Sequence, residues 1–485
     1  MLSMSAQQTK EPHLKIKTLT LENFRGIERL ALDLHPRLTI LLGENATGKT
    51  SILDALALGV GSYFAGLEDK KIKAPTIDKE DIRRTKREAT GGERMTSVSY
   101  ERNVPTKILL EVEWGEVEQI ARTKQSYDGR TDWSEINPIK KMAYAHLKMI
   151  RDGGPITLPL LTMTPAGGRA RRAVKAAHQT LASEGAQWSR TDGYYAALES
   201  NIDSATLMNW WIWTYFKAAD EVPGFKDILR AFYDILINVV PELEAVDFNA
   251  TIGEPEFKFN WGTSVLSWLS SGQERVIFLV ADLFLRAMVL NPQLADAAAR
   301  EVEGVVLIDE IDQSLHPSWQ RTVLRGLLEA FPKVQFIVST HAEQVLAGIA
   351  GWDEAPMVRR LSRGADGQVT VKRLKVPVGM DADAMLLGDW FGLSTTLDPK
   401  TEGVRCIKGG KDSSGGFFVT RQRLDGACPP GGPSLQRPHH QRLQATRHMP
   451  APQPRHLFAL LLPPKLAHTL YPHTQHLPHR RLDHP

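Results

Sequence analysis

The chain has 485 residues, with 59 Lys and Arg against 56 Asp and Glu for a formal net charge of +3. Its two cysteines, Cys406 and Cys428, both lie near the C-terminal end, which excludes a disulfide framework or a four-cysteine zinc site elsewhere. The first twenty residues are polar, and the apolar stretch Val276 to Leu290 is cut by Asp282 and Arg286, so neither a signal segment nor a membrane span is expected and the chain reads as cytoplasmic.

In chain order, the segment from Leu19 to Ile27 contains Asn23-Phe24-Arg25-Gly26 and leads to a strand at Leu30 to Leu34, then to an apolar strand at Leu38 to Leu42. Gly43, Glu44, Asn45, Ala46, Thr47, Gly48, Lys49, Thr50 and Ser51 follow, and Ile52 to Leu58 read as a helix. This is Gly-x4-Gly-Lys-Thr between strand and helix, a phosphate-binding loop. The two glycines let N–H groups turn inward around the β- and γ-phosphates of a nucleotide. Lys49 reaches the same oxygens, and the Thr50 hydroxyl ligates Mg²⁺. Basic clusters come next, at Lys70, Lys71 and Lys73, then Arg83, Arg84, Lys86 and Arg87, and later Arg169, Arg171 and Arg172. They are either a surface for DNA phosphates, bound without sequence preference, or solvated faces.

More than two hundred residues separate Lys49 from Gly272. Breakers at Gly153-Gly154-Pro155, Pro159, Pro165, Pro223-Gly224 and Pro241 exclude a long coiled coil, so a compact lobe is expected. An alternating strand at Lys107 to Trp114 begins it and is expected to extend an antiparallel edge of the P-loop half, and helices are predicted near Lys140 to Arg151, Ala196 to Lys217 and Phe225 to Val239. Trp210, Trp211 and Trp213 on the second of these read as helix packing rather than a base-stacking platform. Leu269 to Arg275 then opens an apolar helix, and the free N–H groups of Ser270, Ser271, Gly272 and Gln273 make a second phosphate site. Val305 to Ile308 form a strand ending in Asp309 and Glu310, placed to hold Mg²⁺ through water and to deprotonate an attacking water, respectively. Val334 to Thr340 form another strand, ending in His341. A hairpin is predicted over Arg359 to Val376 with its turn at Gly364 to Gly367, and a short helix over Asp381 to Phe391.

From Cys406 onward there is no Glu, three Asp against eleven Lys and Arg, nine of the fifteen His and none of the eleven Trp. Such a segment shows no helical or strand period and is expected to be disordered. The abrupt change has the appearance of out-of-frame translation of a GC-rich gene, which would leave the native C-terminus missing.

A P-loop, a Leu-Ser-x-Gly-Gln signature, a strand-terminal Asp-Glu and a strand-terminal His, in that order, resemble the ATP-binding-cassette ATPases. The entry Asn23-Phe24-Arg25-Gly26, and Asp309-Glu310-Ile311-Asp312 followed by Leu315-His316-Pro317, look like the SMC/RecF/OLD group, including the PtuA-like branch. The resemblance implies an α/β head, a mixed sheet with flanking helices and an antiparallel β edge, carrying an inserted, mainly helical lobe. The boundaries would be 14–100 for the P-loop half, 101–260 for the lobe, 261–395 for the second half of the head and 406–485 for the tail. It further implies ATP hydrolysis with ATP and Mg²⁺ and a head-to-tail homodimer in which Ser270, Ser271 and Gly272 act in trans. His341 would then touch the γ-phosphate or the attacking water, and the partners would be DNA or a nuclease. The alternatives are an ATP-gated scaffold with negligible turnover and, more distantly, a transporter subunit. No Gln lies between Ser51 and Leu110 to couple to the metal, and the resemblance offers Asp78 or Asp81 in its place.

Overall fold

The computed structural model describes residues 14–91, 95–166, 189–199 and 204–391, apart from 353, 355, 377 and 381, together with the backbone of Val404–Lys411 and Phe417–Arg423. The chain divides into two compact units, Met1–Glu402 and Gly403–Pro485.

The first unit opens with β1 (Lys15–Phe24), β2 (Ile27–Asp33), β3 (Leu38–Gly43), the P-loop and α1 (Lys49–Val60). A ribbon of β4 (Arg84–Gly91) and β5 (Met95–Arg102) precedes β6 (Thr106–Trp114), β7 (Val117–Lys124), α2 (Asn137–Arg151) and β8 (Leu160–Thr164). Helices α3 (Ser204–Ala219) and α4 (Phe225–Val239) lead to β9 (Leu243–Asn249), β10 (Glu254–Phe259), β11 (Gly262–Val265) and the long α5 (Ser271–Leu290). The chain continues through β12 (Gly304–Ile308), α6 (Val323–Ala330), β13 (Val334–Thr340), α7 (Glu343–Ile349), the hairpin β14 (Met357–Arg363) and β15 (Val369–Leu374), and α8 (Ala382–Leu387).

Two sheets enclose α1. The central one has the order β15-β14-β3-β13-β12-β8, all parallel except the hairpin strand β15. Every residue of β12 and β13 is buried, the pattern of strands covered on both faces. The second sheet is antiparallel, in the order β2-β1-β6-β7. Helix α1 touches β1, β6 and β7 on one side and β3, β8, β12 and β13 on the other. Its sequence is accordingly apolar on nearly every face. A Cβ on Gly59 would lie 2.3 Å from Leu110 Cδ1, so glycine is what lets α1 approach β6 so closely. Gln335 joins the two sheets: its side chain accepts from Ile16 N at 2.8 Å and donates to Ile16 O and His35 O at 2.8 and 2.9 Å.

Trp210 and Trp211 of α3 pack edge-on against Phe232 of α4, with centroids 5.2 and 4.8 Å away, and Phe232 meets Phe284 of α5 at 5.4 Å. This is helix packing, as the sequence reads; Trp213 is 47% exposed and leans on Phe225.

The structure corrects the reading of 101–260 as one inserted lobe. Leu160–Thr164 pairs in parallel with β12 and forms the edge of the central sheet, whereas β6, followed by β7, extends the antiparallel sheet from β1 as expected of Lys107 to Trp114. A five-residue apolar strand flanked by Pro159 and Pro165 carries no local sign of its partner, more than a hundred residues away. The helix predicted from Ala196 starts only at Ser204, and the three strands β9 to β11 had no counterpart in the sequence reading. In the second unit, Val404–Lys411 pairs antiparallel with Phe417–Arg423, which corrects the expectation of a tail without regular structure at those residues. The rest of that tail lies outside the described residues, as do Arg169, Arg171 and Arg172. Among the described residues no helix is long and apolar enough to cross a membrane.

Candidate nucleotide-binding site

Sheet geometry forces the P-loop into its shape. Gly43 sits at φ +154° and Gly48 at φ +100°, backbone that favours glycine. A Cβ on Gly43 would lie 2.6 Å from Leu361 O of β14 and 2.8 Å from Thr47 Oγ1. Thr47 Oγ1 donates to Glu44 O at 2.8 Å and closes the loop, while Glu44, Asn45 and Ala46 are exposed on its rim. Lys49 is 5% exposed and donates Nζ to Gly43 O at 2.7 Å and Glu44 O at 2.9 Å, which places the ammonium in the loop's concavity. Burial lowers its pKa, against the opposing pull of Asp309, Glu310, Asp312 and Glu44. No acidic residue occupies the first turn of α1, so its free N–H groups and dipole favour an anion, and Ser51 sits half-buried in the same turn. From outside, Arg363 of β14 holds the loop through Ala46 O at 3.1 Å.

The ends of β12 and β13 complete the site. Thr50 Oγ1 donates to Asp309 Oδ2 at 2.7 Å, and Ser339 Oγ donates to Asp309 Oδ1 at 2.5 Å. The same Ser339 Oγ accepts from Glu310 N at 2.8 Å, and Glu310 adopts φ +49°, a left-handed conformation held by that bond. Asp309 is 1% exposed whereas Glu310 remains half-buried. Asp312 Oδ1 accepts from Thr340 Oγ1 at 2.6 Å and from His341 N at 3.2 Å, which fixes the backbone that carries the imidazole. Burial, and then Lys49, lower the pKa of His341, with Asp312, Glu310 and Asp309 opposing. Thr50, Asp309, Glu310, His341 and Lys49 are therefore brought together in one cluster.

At the signature, Ser270 is the N-cap of α5: its Oγ accepts from Gln273 N at 3.3 Å, and Gln273 Oε1 accepts from Ser270 N at 2.9 Å. Ser270 and Ser271 are exposed, and a Cβ on Gly272 would lie 2.2 Å from Ser314 O. The segment lines a pocket shared with Ser314, Leu315, His316 and Trp319. Arg275 of the same helix donates to Asp309 O at 3.1 Å and Glu310 O at 3.0 Å and also binds the Gln313 side chain, tying the signature helix to the strand end that carries both carboxylates.

Two family models cover the two halves of this constellation: "AAA domain" over residues 18–232, and "AAA domain, putative AbiEii toxin, Type IV TA system" over residues 240–347. The chain is 24% identical to the Retron Ec83 probable ATPase of Escherichia coli, over 70% of this chain and 71% of that one. It is 30% identical to the Septu protein PtuA of Bacillus mycoides over 37% of this chain and 23% of that protein. To the DNA replication and repair protein RecF of Lactococcus lactis subsp. cremoris it is 32% identical, over 30% and 36%. The chain thus carries AAA-domain sequence across both halves of the site and is related to these ATPase, PtuA and RecF proteins. The matched segments nevertheless span less than a quarter of that PtuA and just over a third of that RecF.

In this AAA-domain protein Asp81, the candidate for metal coupling, is found in an ion pair. Its Oδ1 accepts from Arg25 Nε at 2.9 Å and its Oδ2 from Asp78 N at 2.9 Å, and the side chain is 6% exposed. Both oxygens are engaged in holding Arg25 and capping a turn, so the structure assigns Asp81 to an ion pair. Sequence reasoning missed Ser339, Asp312, Arg275 and Arg25. The first three lie within a few residues of a recognised motif, which is the signal that could have found them.

Thr50 and Asp309 fit Mg²⁺ by chemistry: a hydroxyl and a carboxylate are hard oxygen donors, 2.7 Å apart, beside a loop built for phosphate. Among the described residues no group of three or more His, Cys, Asp or Glu could hold a metal.

Proposed function

We propose that this protein binds and hydrolyses ATP as a head-to-tail homodimer and uses the resulting opening and closing to control a DNA transaction, in repair or defence, or a partner nuclease. The observation that carries the reading is Glu310: its carboxylate is half-buried beside Asp309, and its strained backbone is held by Ser339. In this reading the P-loop N–H groups and Lys49 hold the β- and γ-phosphates, Thr50 and Asp309 hold Mg²⁺, and His341 contacts the γ-phosphate or the attacking water. Glu310 accepts the proton of that water as it attacks phosphorus, and the leaving oxygen departs as ADP. The bound Mg²⁺ would offset charge on the phosphate oxygens. Ser270 and Ser271, both exposed, and the adjoining Gly272 serve the partner's γ-phosphate. The DNA link draws on a relative named for DNA replication and repair.

Glu310→Gln keeps size and hydrogen bonding but removes the base, so turnover should fall about 10²–10⁴-fold while ATP binding persists. With ATP the variant should accumulate as a dimer on size-exclusion chromatography with light scattering. Wild-type turnover in this variant would remove the assignment. Dimerisation of the wild type with no measurable turnover would instead favour a regulatory scaffold.

A further inference from the structure

Among the described residues, strands β4 and β5 pair only with each other, forming a two-stranded ribbon. Its register puts Arg84 directly opposite Arg102, with Lys86 opposite Tyr100 as the next pair on the same face. Arg84, Lys86 and Arg102 are exposed and Tyr100 is 63% exposed. On the opposite face Arg87 is matched by Glu101 at 2.6 Å. Like charges directly across a ladder destabilise it, and Arg102 is held in place by the Tyr127 ring, 3.5 Å from its guanidinium. An anion lying along this face would relieve that repulsion. A two-stranded ribbon is also a shape that the major groove of a duplex admits.

The root of the ribbon is fastened to the nucleotide site. Arg83 N donates to Asn23 O at 3.0 Å, Arg83 pairs with Glu28 at 2.8 Å, and Arg25 N donates to Asp81 O at 2.7 Å. The Arg25 guanidinium then forks: Nε binds Asp81 at 2.9 Å, just before the ribbon, and Nη1 binds Asp54 of α1. Asp54 lies one helical turn after Thr50, so one side chain spans the ribbon root and the helix that carries Lys49 and Thr50.

We infer that the face of Arg84, Lys86, Tyr100 and Arg102 binds the phosphate backbone of duplex DNA, and that Arg25 is a positioning residue that transmits its occupancy to the P-loop helix. This rests on the DNA reading above and locates it. The test uses the full chain and a fluorescent 30-base-pair duplex, with anisotropy read from ~50 to ~200 mM salt. Arg84→Gln with Arg102→Gln removes two phosphate contacts, so the log–log salt slope should shrink by about 1.8 and affinity should fall about 60-fold at ~0.1 M salt. The double variant relieves a like-charge pair and should melt no lower than the wild type. Arg25→Lys keeps the charge but cannot fork onto two carboxylates; duplex affinity should be retained while the change in ATP turnover on adding duplex disappears. A wild type that binds no duplex at ~50 mM salt would sink the DNA reading itself. A wild type that binds, with the double variant binding equally at the same slope, would overturn the ribbon assignment alone. A full duplex response in Arg25→Lys would overturn the relay.

Discussion

Replacing Ser339 by Ala is the most informative single change outside the recognised motifs. Ser339 is fully buried and its hydroxyl makes two bonds, donating to Asp309 Oδ1 at 2.5 Å and accepting from Glu310 N at 2.8 Å. The first is charge-assisted and contributes about 1.5–3 kcal/mol; leaving the Glu310 N–H unpaired costs about 1–3 kcal/mol more. The sum, about 2.5–6 kcal/mol, is a large share of the ~5–15 kcal/mol that usually separates folded from unfolded states. Its loss also releases the left-handed backbone at Glu310, which itself costs about 1–2 kcal/mol to hold. Ser339→Ala should therefore lower the melting temperature and, assayed well below that temperature, reduce kcat by ~10²-fold with a smaller effect on ATP affinity, since a carboxylate displaced by ~1 Å is a poor base. Turnover within twofold of wild type and an unchanged melting temperature would refute the reasoning.

Gly272→Ala places a methyl 2.2 Å from the Ser314 carbonyl, a backbone atom that cannot yield cheaply, so a destabilisation of about 1–3 kcal/mol at the signature turn is expected. Monomeric ATP binding should survive while ATP-dependent dimerisation, followed by light scattering, is lost. Because burial and Lys49 hold His341 below its ordinary pKa of 6.5, it is neutral at pH 7 and gains a proton only on the acid side of 6.5. The wild-type rate should be flat with respect to this group above that value and fall below it, and the His341→Gln profile should lack this limb; an identical acid limb in the variant would assign it to another group.

The site was legible where chemistry is local. The P-loop, the Asp309-Glu310 strand end and the strand before His341 each join a short apolar run to a motif, and all three meet in the central sheet as expected. The hairpin turn at Gly364 to Gly367 and the helix Phe225–Val239 were readable for the same reason. Pairing between distant segments was not. Leu160–Thr164 belongs beside β12 because of a parallel register that nothing in its own sequence encodes, and β9 to β11 alternate too weakly to stand out beside the aromatic helices. Arg25 shows the limit at the level of a side chain. Its motif is visible in sequence, but its fork onto Asp54 and Asp81 exists only once β1, α1 and the ribbon root are brought together. The same holds for Asp81, whose ion pair with Arg25 is not visible in the sequence.

The central claim, that each active site is built from the P-loop of one chain and the signature of another, is tested most directly by complementation. Lys49→Ala and Ser271→Arg each disable one half, and neither variant alone should hydrolyse ATP. Mixed in equal amounts, they should recover turnover, because a mixed head-to-tail dimer contains one site with an intact P-loop and an intact signature. Recovery that rises with protein concentration is the expected result. Mixtures as inactive as either variant alone, under conditions where mixed dimers are shown to form, would contradict the account.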